Sequence, residues 1–561
     1  MWRLEETGRP RCSHRDSRIM VGFGRYFDLT LSNEFPDWSG NALDYTMFLQ
    51  LVRSLREQPE VSSTQKNGSI SLAGLLSNVS DSKTGEAGFA SELEDRLQML
   101  DKFAAFMGDN IRSRASRMLA RCERALKKNE TESVAAELLA EAEEIGQDFL
   151  RLEKFVSLNY TAAHKILKKH DRYLPTQFHP CFSIQLSKQK WVTGQYNDVL
   201  VDLSKTMSHL RGDGRGNQKG PGGKQDFIRK TVKYWVRTED VSRVTVFLLR
   251  HLPIWQQDTS SRHNAQLVNS IYLDNEPLEL YHGRLDKSPG AIAVRMRWYD
   301  EPDPTGKVFV ERKTHRDSWT GESSVKERFP LGERKIARFM DGSYTLHSKL
   351  LHMRQTNERP EREIDDLAEL SSSIQKQILT RKLVPVMRTQ CMRTAFQVPF
   401  DASVRVSLDT NLCMITEDLI NTPTWFRRAA DRVEPSCITR FPHAILEVKL
   451  SLTAGEEAPQ WVSELLSSGL CTPVYKFSKF IHGCAVLLPH RVQYFPYWLE
   501  DETLVDSIRD SRLGAVWHSG AEGTQFQDDL GPVPTMAMMR KFGSRKGCCP
   551  LMPCFGDSLE V

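Results

Sequence analysis

Hydrophobic positions recur along this chain with two different periods, and the change falls before its middle. From Ser91 to Lys128, Leu93, Leu97, Leu100, Phe103 and Phe106 follow at three- and four-residue steps. From Ser133 to Tyr173 the same habit returns in Leu138, Ile145, Phe149, Leu152 and Phe155. That spacing predicts two long amphipathic helices able to pack as a bundle. Gln58–Gly88, rich in Ser, Gly and Asn, reads as a flexible insertion, and the Gly- and Lys-rich Arg211–Lys224 reads as a linker.

Beyond the linker the period becomes two. Val294, Met296 and Trp298 alternate with Arg295, Arg297 and Tyr299; Val308, Val310 and Arg312 alternate with Phe309, Glu311 and Lys313. Val404, Val406 and Leu408 alternate with Arg405, Ser407 and Asp409, and Leu446, Val448 and Leu450 with Ile445, Glu447 and Lys449. Every second residue of a strand shares a face, so each strand offers one largely apolar face and one charged face. A half-exposed antiparallel sheet gives the same alternation. Arginines and lysines crowded on neighbouring strands would repel, however, and among them stand isolated acids, Glu311 and Glu447. A closed barrel with a polar lumen accounts for both, its cations neutralised by an anionic ligand.

Composition narrows the reading without deciding it. The 561 residues suggest two to four domains, and 40% hydrophobic content allows a large core. A formal charge of +4 is too small to argue for nucleic acid. Eleven cysteines without a C-x-x-C pair suggest a reducing compartment and no zinc ribbon. No stretch approaches the roughly 18 apolar residues of a membrane span, and Met1–Met20 is polar and lacks the apolar core of a secretory signal. The tail closes on RKGCCPLMPC (Arg545–Cys554), read as free thiols in a disordered tail, with S-acylation as the other chemistry open to it.

Two sets of motifs match known families. KILKKHDR (Lys165–Arg172), preceded by LEKFVSLN (Leu152–Asn159), resembles the last-helix signature of SPX domains, and Phe23–Gly24 with Asp44–Tyr45 resembles their opening helices. The resemblance implies a helical bundle that binds inositol polyphosphates and pyrophosphates through Tyr45, Lys165, Lys168, Lys169 and Arg172. Lys165, Lys168 and Arg172 share a helical face with Lys169 beside it; a solvated basic face is the bland alternative. The family places a lysine one turn after the tyrosine, where this chain has Leu49.

The second set runs KYW (Lys233–Trp235), SIYLDNEPLELYHGR (Ser270–Arg284), RMRWY (Arg295–Tyr299), FVERKTH (Phe309–His315), KERF (Lys326–Phe329), RTAFQ (Arg393–Gln397), FPHAILEVKL (Phe441–Leu450) and KFSKFIHG (Lys476–Gly483). In order, these are similar to the tunnel domain of the catalytic subunit of vacuolar transporter chaperone complexes, a polyphosphate polymerase of the triphosphate-tunnel class. The resemblance implies an antiparallel β-tunnel with flanking helices, so the whole is expected to be a multidomain α+β protein. It assigns phosphate contact to Lys233, Arg284, Arg295, Arg297, Lys313, Lys326, Arg388, Lys476 and Lys479, with Arg393 a further candidate, and Mn²⁺ or Mg²⁺ to Glu447. The implied reaction moves the γ-phosphate of ATP onto a growing polyphosphate, with an inositol pyrophosphate as activator. A non-catalytic regulatory or scaffold subunit and a triphosphate hydrolase are the alternatives. No nucleophile motif is visible, and His315 and His482 read as structural. Residues 1–19 are expected to be an extension, 20–180 the SPX domain, 181–226 a connecting helix and linker, 227–500 the tunnel domain and 501–561 the tail. The resemblance further implies membrane-embedded partner subunits of the same complex, placing the chain on the cytoplasmic face of a vacuole or acidocalcisome.

Overall fold

The computed structural model describes residues 22–57, 85–188, 196–213, 227–256, 263–315, 325–417, 424–453 and 456–507. Residues 58–84 of the insertion expected at Gln58–Gly88, most of the linker and Cys548, Cys549 and Cys554 lie outside them, whereas Glu86–Gly88, expected to belong to that insertion, open a helix. Two compact units emerge: Met1–Met107 with Leu152–Val192, and Gly108–Arg151 with Thr193–Val561.

The first unit is helical. It holds α1 (Phe23–Glu34), α2 (Tyr45–Glu57), the first part of α3 (Glu86–Lys128), the last part of α4 (Thr131–Tyr173) and α5 (His179–Lys188). The two long helices run where the periodicity placed them. Leu93, Leu97, Leu100 and Ala104 form the buried stripe of α3, while Phe106, two positions off that stripe, is 69% exposed rather than a core residue. Phe155 meets Phe35 at 5.3 Å and Trp38 and Phe103 at 5.5 Å, edge to face, an arrangement that aromatic quadrupoles favour. Buried Asn159 accepts a 2.8 Å hydrogen bond from the Leu43 N–H and so fixes the turn into α2.

The second unit centres on one antiparallel sheet. Its strands are β1 (Phe227–Arg237), β2 (Gln266–Asp274), β3 (Ile292–Tyr299), β4 (Lys307–Thr314), β5 (Val325–Gly332), β6 (Val384–Phe396), β7 (Val404–Thr416), β8 (Ile438–Arg440), β9 (His443–Thr453) and β10 (Cys471–Pro473). The order is β10-β1-β9-β7-β6-β2-β3-β4-β5, with β8 beside β7. A closed barrel was expected. Among the described residues β10 and β5 are instead edges that do not pair, so the sheet is open. It is nonetheless curled: Lys313 on β4 lies in the electrostatic field of Lys233 on β1 and Glu447 on β9, strands far removed in sheet order.

The two faces differ as the alternation predicts. On the convex face Val294, Met296, Val308, Val310, Phe329 and Leu331 join one apolar core with Ile336, Phe339, Leu350, Ile364, Ile374 and Ile378. Those last six belong to α9 (Glu333–Met340), α10 (His347–Gln355) and α11 (Glu361–Thr380), which follow α6 (Asn197–Arg211), α7 (Val241–Leu249) and α8 (Glu279–Leu285). After α12 (Gln460–Ser467) comes α13 (Lys479–Leu487), which packs on the concave face. There Phe480 stacks on Tyr272 at 5.0 Å. Gly483 admits the close approach, because a Cβ there would meet Met387 Cε at 2.6 Å. Residues 502–507, expected to belong to the tail, are helical.

Candidate functional site

The concave face is built by register. Arg295 stands opposite Glu311, Arg297 opposite Ser270, Lys313 opposite Lys326, Lys233 and Ser407 opposite Glu447, and Arg405 opposite Lys449. Residues directly opposite in an antiparallel pair point the same way, so all of these side chains share one face. It carries far more cations than acids.

Its acids are each wrapped by cations. Fully buried Glu311 accepts from Arg295 Nε at 2.7 Å and Nη2 at 2.5 Å, and its other oxygen lies 3.0 Å from Lys326 and 3.6 Å from Arg328. Burial would raise this carboxyl, but Arg295, Arg297 and Lys326 outweigh it and hold the pKa at about 2. Asp409 takes both nitrogens of the Arg393 fork, at 2.5 and 2.7 Å, and the Lys479 ammonium. Arg393 and Lys479 hold its carboxyl far below the usual range despite burial. Glu447 is opposed by burial too, yet Lys233, Lys449 and Lys313 keep it at about 2.

The cations left over mark the face as an anion site. Arg284 on α8 and Lys313 have no carboxylate partner among the described residues. Among the described residues Lys233 donates only to the Phe477 carbonyl, at 2.6 Å. Neighbouring Arg295 and burial push the Lys313 ammonium well below the ordinary lysine value. Burial lowers Lys326 to about 8 even against Glu311. Protein surrounds Lys313, yet its side chain still reaches solvent, as the wall of a groove requires. Tyr272, buried beneath them, accepts from Arg295 at 3.0 Å. The excess positive charge pulls its hydroxyl below the ordinary value although burial alone would raise it.

Two of the expected residues lie elsewhere. Arg388 is on the opposite face: it stands across from Ile271, its guanidinium lies 5.4 Å from the Trp298 ring centroid, and it donates to Glu417 at 2.5 Å and to the Arg427 carbonyl. The cause is parity. Arg388 and Arg393 are five residues apart on a stretch of β6 that pairs regularly with β2, so both cannot face one side. Lys476 is exposed on the loop before α13, its ammonium 5.1 Å from the Tyr475 ring centroid. Sequence reasoning in turn missed Arg405, Lys449, Arg328, Asp409 and Tyr272. Arg405, Lys449 and Asp409 lay in the alternation already noted, two residues from Ser407 or Glu447. His482 is structural: its Nδ1 accepts from the Trp498 indole at 3.3 Å and its ring packs on Phe441.

No group of three or more His, Cys, Asp or Glu able to hold a metal ion occurs among the described residues. Glu447 is a carboxylate that could hold one divalent cation. Beside it the buried Ser407 Oγ has no hydrogen-bond partner among the described residues, leaving an oxygen that an ion or its water could use. Mg²⁺ and Mn²⁺ are commonly held this way, by one carboxylate and phosphate oxygens.

In the first unit, Lys165 Nζ lies 4.6 Å from the Phe23 ring centroid, and that ring meets Tyr45 edge-on at 5.1 Å. Lys168, Lys169 and Arg172 are exposed. None of these four cations is ion-paired among the described residues. Tyr45 is buried, which raises its hydroxyl, and Leu49 stands one turn after it, partly buried.

A curled sheet with a cation-lined concave face can be compared with known proteins. Residues 228–488 match the model of the VTC domain. The chain resembles vacuolar transporter chaperone complex subunit 4 of Schizosaccharomyces pombe, 41% identical over 360 residues covering 62% of this chain and 50% of that protein. It also resembles subunit 2 of Saccharomyces cerevisiae, 26% identical over 564 residues covering 85% of this chain and 66% of that one. The chain thus spans about half the length of its subunit 4 relative. A solved SPX domain, that of Chaetomium thermophilum Glycerophosphodiester Phosphodiesterase 1 in complex with inositol hexakisphosphate, aligns at 20% identity over 33% of this chain and 97% of that one, with a TM-score of 0.25. No helix of the described residues is long and apolar enough to cross a membrane.

Proposed function

We propose that this chain is an ATP-dependent polyphosphate polymerase working on the concave face of its sheet, controlled by inositol pyrophosphate binding to the N-terminal unit. The observation that carries the reading is a crowded set of cations left without enough carboxylates, in a domain of VTC type. Such an arrangement costs stability unless an anion completes it.

Phosphoryl transfer asks mainly for positioning and charge neutralisation. Arg295 and Arg297, side by side with Lys313 and Lys326 across the strands, form a cradle for phosphate oxygens. Arginine grips them with two donors, and lysine acts as a point charge. Arg393 and Lys479, held by Asp409, fix the far wall. The terminal oxygen of the growing chain attacks the γ-phosphorus, the bond to the β–γ bridging oxygen breaks, and ADP departs carrying that oxygen. A divalent ion held by Glu447 would neutralise charge on the triphosphate. Tyr45, Lys165, Lys168, Lys169 and Arg172 would hold the inositol pyrophosphate. Other subunits of a vacuolar transporter chaperone complex are the proposed partners and would bring the chain to the cytoplasmic face of a vacuolar or acidocalcisomal membrane.

Similarity to subunit 2 proteins favours one second reading, a scaffold subunit that binds polyphosphate without making it. Incubating the purified chain with ATP and Mn²⁺ separates them. ADP and lengthening polymer support the polymerase, free phosphate or pyrophosphate indicates hydrolysis, and polyphosphate binding without turnover indicates the scaffold.

A further inference from the structure

The loops that leave the concave face after Arg284 and before Lys479 converge on one exposed tyrosine. Lys287 follows Arg284 by three residues and Lys476 precedes Lys479 by three, so each lies within about 11 Å of that cation along the backbone. The Lys287 ammonium lies 5.6 Å and the Lys476 ammonium 5.1 Å from the centroid of the same ring, Tyr475. Tyr475 is 63% exposed.

Both lysines hold positive φ, 57° at Lys287 and 56° at Lys476, a conformation that side chains other than glycine rarely adopt. The 494–497 segment braces the residue before each of them. Tyr494 Oη donates to Asp286 Oδ2 at 2.7 Å, and Tyr497 Oη donates to the Tyr475 carbonyl at 3.2 Å. Two braced loops thus present a flat aromatic surface flanked by ammonium groups, just outside a face suited to phosphates.

An exposed ammonium gains little from a phenol ring and far more from a phosphate. A ligand with an anionic chain and a flat heterocycle would draw the lysines to the chain and leave the ring for the heterocycle. We propose that Tyr475 is the stacking platform for the base of the nucleoside triphosphate, with Lys287 and Lys476 on the phosphate side of it. This rests on the concave face being the triphosphate site.

Calorimetric titration of the full chain with Mg·ATP and with Mg·tripolyphosphate tests it. Wild type should bind ATP more tightly. Tyr475→Ala should weaken ATP about tenfold, the usual scale for losing one base–aromatic stack, while leaving tripolyphosphate within about twofold. Tyr475→Trp should hold ATP at least as tightly as wild type, which answers the case of an unstable alanine variant. Equal losses for both ligands, or no loss for ATP, overturn the platform. Wild-type binding of tripolyphosphate as tight as that of ATP removes the platform alone; binding of neither ligand removes the triphosphate site and the platform with it.

Discussion

Replacing Glu311 by glutamine keeps its shape and removes its charge from among four cations. The carboxyl is fully buried and its pKa stands at about 2 against an ordinary 4.5. Each pKa unit is worth about 1.4 kcal/mol, so the ionised group contributes about 3 kcal/mol to stability at neutral pH. That agrees with the 3–5 kcal/mol typically lost when one partner of a buried ion pair is removed. The sign follows from the depressed value. The contribution is complete above about pH 4.5 and fades as pH falls towards 2. Glu311→Gln should therefore lower the unfolding free energy of the sheet-bearing unit by about 3 kcal/mol at pH 7. The gap to wild type should narrow by about 1 kcal/mol between pH 6 and pH 3.5. Urea unfolding followed by tryptophan fluorescence reads both quantities. A gap below about 1 kcal/mol at pH 7, the scale of an exposed pair, or one indifferent to pH, would show that the cations do not converge on this carboxylate.

Arg295→Ala or Lys313→Ala should abolish ATP turnover while far-ultraviolet circular dichroism is unchanged; wild-type polymer synthesis by either variant would remove the concave face from the mechanism. Binding of tripolyphosphate at pH 8 should take up protons, because an anion raises the lowered pKa values of Lys313 and Lys326, the latter about 8. The binding enthalpy should accordingly vary with the ionisation enthalpy of the buffer, and affinity should fall above pH 8. In the helical unit, Leu49→Lys should tighten inositol hexakisphosphate binding about tenfold, the scale of one charge-assisted hydrogen bond. Equal affinity of variant and parent would place the ligand away from α2.

Much of the architecture was legible because burial follows period. The two long helices lie within a few residues of their predicted bounds, and the four alternating runs are strands β3, β4, β7 and β9. The charged face of each run is the concave one. Arg388 shows the limit of matching residues one by one. Five positions from Arg393, it could not share a face in a regular strand, and counting along the chain would have revealed this without coordinates. Strand β7 shows the opposite limit. Asn411 has a φ of 52°, and the pairing with β6 slips there, so the alternation read from Val404 to Asp409 does not continue.

The order of polar and apolar residues by itself determined which segments became helix and strand and which side of each strand carried charge, since those follow from a repeat of 3.6 or 2 along a local backbone. Only the folded sheet decided which charges meet. That β1 and β4 face one another, that Asp409, already held by Arg393, meets Lys479 across 70 residues, and that the sheet curls without closing all depend on pairings distant in sequence. Such pairings are settled by the packing of the whole domain, where no local pattern can specify them.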